Sequence, residues 1–375
     1  MGYNIQCIGV KKIFGKNFKF EVNDTWVTEL KETLLLYDDS LDNNIDVLIE
    51  VTTNESFYFV RSNNPKSYKR SDDGFQADFG HVKVSWSNID KKPLKVSLHI
   101  KDKRPLPLIG FLKKLYSMEY PTTVEWFEQI LHELVLVPCV YFLPDLAVVH
   151  AASISKNNEC VLLTGTGGVG KSSALLSFIG DESISFISDD IVIVDSLGSV
   201  YSNFSWPKVY GYNCDGNALK EKILTGRGCL DRIHFYIKNK IDSSKVRRKI
   251  RPDKIFSSYL KTSCKLRGVY FLIREDVDSI KLSTLERNSS IKMACNVMNA
   301  EYQVFHKFIE WEEYNAAALG VSPLISMENV ISKWKKVMNG SFPILINKVS
   351  IPIDIENVEY QEKIKKIIYN DFDFC

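Results

Sequence analysis

The chain has 375 residues, of which 45% are hydrophobic and 25% charged, and its net charge is +2. This is a globular balance with room for a sizeable core, and it excludes a disordered polymer and a polycation built for nucleic acid or acidic membrane. The eight cysteines form no C-x-x-C pair and no Cys/His set of zinc spacing, so reduced thiols and a cytoplasmic location are expected. Residues 1–6 carry no apolar core of an export signal. The longest apolar stretch, 134–152, contains Pro138, Pro144 and Asp145, and reads as a helix end followed by a strand rather than a membrane span.

At this length two domains are expected, divided between residues 145 and 146. The first, 1–145, is strand-rich. Apolar–polar alternation predicts strands at 18–22, 45–51, 56–60, 81–86 and 94–100, with a helix over 26–37 and turn-rich breaks at 38–44 and 61–66. His81 and His99 read as ordinary sheet residues, and this half carries no catalytic constellation; a substrate-docking surface is the role left for it. Residues 106–143 read as helical. Thr122 or Thr123 can cap a helix over 124–137, and Phe127, Ile130, Leu131 and Leu134 form its apolar stripe, leaving Glu133 for solvent.

The second domain, 146–375, opens on a strand at 146–155, a turn at 156–159 and a second apolar strand at 160–164. Then comes Gly165-Thr166-Gly167-Gly168-Val169-Gly170-Lys171-Ser172, which fits G-x-x-x-x-G-K-[ST] at every fixed position. The spacing has a chemical reason. Glycines let the backbone approach a ligand and turn its N–H groups onto phosphate oxygens. Lys171 reaches the terminal phosphates and the Ser172 hydroxyl can ligate Mg²⁺, while Ser173 continues into a helix predicted over 172–179 and ended by Gly180. Strand, glycine loop and helix follow in the order the motif requires. A hairpin leading into the phosphate-loop strand is unusual, because adjacent parallel strands are normally joined through a helix.

Next, a buried strand over 183–195 is interrupted by Asp189-Asp190, a costly pair unless a cation or partner is present. Ser172 and one aspartate can hold Mg²⁺, leaving the other to act as general base. His150 stands one hairpin upstream, placed to orient an aspartate or face a phosphate. A turn at 197–199, a return strand at 200–204 and an irregular region from Trp206-Pro207 follow. Residues 238–254 hold eight Lys or Arg against Asp242 and Asp253; they read either as a solvated face or as a mobile basic arm in which Arg247, Arg248 or Arg251 meets the substrate. The segment is too short to argue for nucleic-acid binding. Tyr210, Tyr212 and Asp215 are candidates for lining an acceptor pocket. A core strand at 266–273, helices at 285–300 and 325–338, strand pieces at 342–347 and 349–353, and a terminal helix at 356–370 complete the prediction.

His150-Ala-Ala-Ser153, the stretch from Val161 to Ser172, and Phe186-Ile-Ser-Asp-Asp190 together resemble the catalytic core of the HPr kinase/phosphorylase family and of HPr-kinase-like serine kinases, which share a core with PEP carboxykinases. The resemblance is specific over about 146–200. It implies an α+β or α/β fold with an HPr-kinase-like phosphate-loop core, in which the hairpin before the loop is expected. It implies ATP and Mg²⁺ as cofactors and a serine-type hydroxyl of a peptide, protein or small amino-acid-like molecule as acceptor. In that scheme Asp189 is the general base, Asp190 and Ser172 hold the metal, Lys171 stabilises the transferring phosphate, His150 sits beside the aspartates, and 165–173 bind the nucleotide. The glycine-rich second signature of the bifunctional enzymes is missing after the aspartates, so phosphorylase activity is not implied. The front half looks more like that of stand-alone relatives in peptide-modification pathways. A non-catalytic nucleotide-binding module and a carboxykinase-type enzyme are the alternatives, and the sequence is compatible with a homo-oligomer.

Overall fold

Buried and open positions alternate along Val47–Thr52 and Leu94–Ile100, which makes each a strand with one dry face. The two lie parallel at the middle of a sheet that has seven strands among the described residues. In the computed structural model, which describes residues 5–55, 57, 60–101, 116–214, 217–343 and 345–373, this sheet is built from β1 (Ile5–Ile13), β2 (Lys16–Asn23), β3 (Val47–Thr52), β4 (Tyr68–Arg70), β5 (Phe75–Asp78), β6 (Val82–Ser87) and β7 (Leu94–Ile100), in the order β1-β2-β3-β7-β6-β5-β4. Helix α1 (Val27–Leu34) makes the crossover between parallel β2 and β3. β1 was not predicted, because it is mostly open and its register shifts between Cys7 and Gly9, which destroys the alternation. Most of the strand expected at 56–60, and residues 106–115 of the expected helical stretch, lie outside the described residues.

Thr122 caps α2 (Thr123–Ile130) in a reciprocal capping box with Glu125, as the sequence leads one to expect. The helix then departs from prediction. Leu131–Leu136 widens into a π-helical turn before α3 (Val137–Phe142), where Pro138 removes a backbone donor. Glu133, expected to face solvent, lies in that turn with a carboxylate oxygen 3.2 Å from Lys208 Nζ.

Among the described residues the second sheet has nine strands. β8 (Leu146–Lys156) and β9 (Glu159–Thr164) form the expected hairpin, closed by Asn157 and Asn158, both at positive φ. β10 (Ser185–Ser188) and β11 (Ile191–Asp195) pair with successive lengths of β8, and β12 (Ser199–Tyr201) returns against β11. A separate ribbon joins β13 (Lys208–Tyr210) to β14 (Arg247–Lys249). β15 (Ser258–Tyr259) lies beside β10; β16 (Ser263–Glu275) runs parallel to β9 and to the last long strand, which follows β17 (Lys281–Thr284) and is β18 (Leu345–Pro352).

The helices of this half are α4 (Lys171–Leu176), α5 (Asn217–Leu224), α6 (Cys229–Ile241), α7 (Arg287–Glu301), α8 (Gln303–Leu319), α9 (Met327–Ser341) and α10 (Asn357–Asp373). Three of them correct the prediction. α5 and α6 occupy the stretch read as irregular or as a basic arm, and α8 was not anticipated. The reason is visible in their faces: α6 leaves Leu230, Ile233 and Ile237 exposed, and α8 buries Glu312 and Asn315 among its apolar residues. The fold is thus mixed α and β, consistent with the α+β class. The strands divide between residues 100 and 146, yet one continuous apolar cluster runs through both sheets. Among the described residues no helix is long and apolar enough to cross a membrane.

Candidate active site

β9 hands the chain to the glycine loop, and α4 receives it. Gly165 takes φ +146°, and a Cβ there would lie 2.6 Å from the Leu272 carbonyl oxygen; Gly170 takes φ +111°, and a Cβ there would lie 2.8 Å from the Tyr360 hydroxyl. Only glycine fits either place. The terminal helix braces the loop from outside: Tyr360 donates to the Gly170 carbonyl at 3.0 Å and Gln361 to the Ser173 carbonyl at 3.0 Å. Thr166, Gly167 and Gly168 form the open rim, whereas Val169 is buried and so offers only its backbone. Ser173 donates to Asn213 Oδ1 at 2.9 Å, away from the rim.

Lys171 is folded onto the loop, its Nζ donating to the carbonyls of Gly165 and Thr166 at 2.9 Å each. Burial lowers its pKa, against the opposing charges of Asp190, Asp189 and Glu301. Glu301 closes α7 and places Oε1 2.7 Å from the Gly167 nitrogen, accepting its N–H. A carboxylate of the chain itself therefore sits on a loop donor of the kind that takes phosphate oxygens.

Asp189 and Asp190 fall between β10 and β11, at a kink where Asp190 has φ +81° and its carbonyl still accepts from Ala151 at 3.0 Å. The kink sends the two side chains into different surroundings. Asp189 is 4% exposed and accepts from Ser172 Oγ at 2.8 Å. Burial, and then the neighbouring Asp190 charge, push its carboxyl up to about 6. The Asp190 side chain is 46% exposed, 3.4 Å from Lys208 Nζ and 3.8 Å from His150 Nδ1. Burial of the surroundings works to raise its carboxyl, but Lys208, then His150 and Lys171, outweigh it and hold it at about 2. His150 is itself kept below the ordinary imidazole range by burial and by Lys171.

His150, Lys171, Ser172, Asp189 and Asp190 lie together here, with one difference in pairing: Ser172 lies against Asp189, whereas the sequence reading set it with Asp190 as the metal pair. The sequence missed Lys208, Glu133 and Glu301. Their contacts span 18, 75 and 134 positions, so no local pattern announces them.

The basic segment divides: Lys240, Lys245 and Lys254 are exposed, as a solvated face would have them, whereas the stretch from Arg247 to Arg251 is tied down. Arg247 pairs with Glu119 and donates to the Tyr210 hydroxyl at 2.6 Å; Arg248 is buried against Asp231 and His234; Lys249 pairs with Glu128, and Arg251 with Glu32 and Asp253. Tyr210 and Tyr212 are stacked, with ring centres 5.4 Å apart, and Asp215 lies outside the described residues.

The oxygen donors present suit magnesium at a phosphate. Such an ion needs one or two carboxylates, with phosphate and water completing its shell, and the Ser172–Asp189 pair supplies two adjacent oxygens. The loop suits an anion, since Glu301 already occupies one of its donors. In comparisons with known proteins, no family model and no curated sequence matches this chain.

Proposed function

We propose that this protein is an ATP-dependent kinase with an HPr-kinase-like core, transferring the γ-phosphoryl group to a serine-type hydroxyl of a peptide, protein or small amino-acid-like acceptor. One observation carries the reading: a glycine-loop serine bonded to one aspartate of a pair whose other member is half-exposed beside a lysine. Phosphoryl transfer requires a phosphate cradle, a place for a cation and a proton acceptor, and little else.

The roles follow from the surroundings. The N–H groups of 165–170 and the start of α4 would hold the β- and γ-phosphates, with Lys171 turning from the loop carbonyls to the phosphates. Ser172 and Asp189 would hold Mg²⁺, which when bound neutralises charge on the phosphate oxygens. Asp190, on the exposed side and kept ionised by Lys208, is placed to take the acceptor's proton; this reverses the division of labour that the family resemblance implies. His150 lies beside Asp190 and helps to fix it.

The test is γ-labelled ATP with Mg²⁺, offered candidate peptides, free serine and a cell extract. Asp190→Asn keeps a residue that tolerates positive φ and is expected to abolish transfer (at least about a hundredfold) while sparing Mg·ATP binding. Asp189→Asn is expected to weaken the dependence of ATP binding on Mg²⁺. The opposite pattern restores Asp189 as the base. An ATP-binding protein that labels nothing in any fraction favours a nucleotide-controlled switch, a reading supported by the Glu301 carboxylate on the cradle.

A further inference from the structure

Phosphoryl transfer gathers negative charge on the oxygens of the moving group, and sites of this kind use a second cation besides the loop lysine. The sequence offers Arg247, Arg248 and Arg251 for that task, but each is held by carboxylates elsewhere. Lys208 is differently placed. It starts β13, and the partner strand β14 is fixed by the buried pairs Arg248–Asp231 and Lys249–Glu128, so its backbone has a rigid support. Its ammonium stands 3.2 Å from Glu133 Oε1 and 3.4 Å from Asp190 Oδ2. An ammonium has three donors; these two carboxylates take two of them, and the side chain is 21% exposed, next to the half-exposed Asp190.

We propose that Lys208 is the second catalytic cation, donating to the transferring phosphoryl group from beside Asp190. The inference rests on the kinase reading above. In the step, the bond from the γ-phosphorus to the bridging oxygen breaks and its electron pair stays on ADP. The acceptor oxygen forms the new bond, and its proton passes to Asp190. As negative charge gathers on the phosphoryl oxygens, the Lys208 ammonium donates to them. Glu133 keeps the lysine in reach throughout, from the π-helical turn that aims it at the site.

The experiment needs no acceptor. Binding of Mg·ADP is measured with and without fluoroaluminate, which mimics the phosphoryl group in flight. The intact protein is expected to bind ADP more tightly when fluoroaluminate is present. Lys208→Met is expected to keep its Mg·ADP affinity and to lose roughly a hundredfold of the fluoroaluminate enhancement. Lys208→Arg should retain part of it, and Glu133→Gln most of it. Should the methionine variant fail to fold, Lys208→Gln carries the same expectation. A neutral variant that retains the full enhancement overturns the proposal, as does one that loses ADP affinity to the same extent, since that marks a structural role. An intact protein that binds Mg·ADP without enhancement also overturns it and leaves the switch reading standing. Absence of any ADP binding removes the nucleotide reading itself.

Discussion

Adjacent carboxylates repel, and the kink at Asp190 resolves the repulsion by giving the two side chains different neighbours. Asp189 retains the cost: its carboxyl rises from 3.8 to about 6. Each unit is 1.36 kcal/mol, so ionising it in the fold costs up to roughly 3 kcal/mol. The sign follows from linkage. The folded state holds this proton more tightly than the unfolded one, so the group favours folding at low pH and that contribution is lost as pH rises from about 4 to 6. Asp189→Asn keeps an acceptor for Ser172 and removes the charge. In metal-free buffer it is therefore expected to be more stable than the parent by about 1–3 kcal/mol at pH 7–8, with the advantage shrinking toward pH 4. Urea unfolding across that range tests this, and a difference independent of pH would sink it. Asp189, Asp190, Lys171 and Ser172 were legible because motif chemistry ties them to short spacings. The neighbours that set their charge states were not legible, since strand pairing and helix ends bring Lys208 and Glu301 in from remote parts of the chain.

At the scale of elements, the legible parts were those in which pattern and burial agree. The hairpin β8–β9 has apolar strands and a two-asparagine turn, and its boundaries fall close to where the sequence puts them. The π-helical turn had no signature beyond Pro138, and α8 hid behind the polar residues it buries. The junction of α7 and α8 shows what such a miss can conceal. It delivers Glu301 onto the Gly167 N–H, and the next residue, Tyr302, bonds through its hydroxyl to the Glu133 carbonyl. If phosphates take that donor, Glu301 competes with them. Glu301→Gln keeps the shape and removes the charge, and it is expected to tighten Mg·ATP binding by about fivefold, the equivalent of one net hydrogen bond. Titration calorimetry reads this directly. Weaker binding would mean that Glu301 assists the nucleotide rather than standing in for it.

At the scale of the molecule, the division at 145/146 separates two sheets but not two cores. The front sheet is fastened to α8 by charge as well as by apolar packing. Glu312, fully buried, accepts from Arg70 Nε at 3.1 Å, from the Tyr68 hydroxyl, and from the Leu324 N–H at 2.8 Å. Arg70 is 3% exposed, so its guanidinium has exchanged water for this carboxylate. Removing one partner strands the other in a medium that solvates it poorly, which costs about 3–5 kcal/mol, whereas replacing both by apolar residues of similar volume is often neutral. Glu312→Leu is therefore expected to lower the unfolding free energy by about 3 kcal/mol, and Arg70→Met with Glu312→Leu to recover most of the loss, both measured by urea unfolding. Because one apolar cluster spans the sheets, the parent should unfold in a single transition. A first transition confined to the front sheet in the single variant, absent in the double, would locate the fastening in this pair. A double variant no more stable than the single would show instead that the loss lies in the hydrogen bonds to Tyr68 and Leu324 rather than in the stranded charge on Arg70.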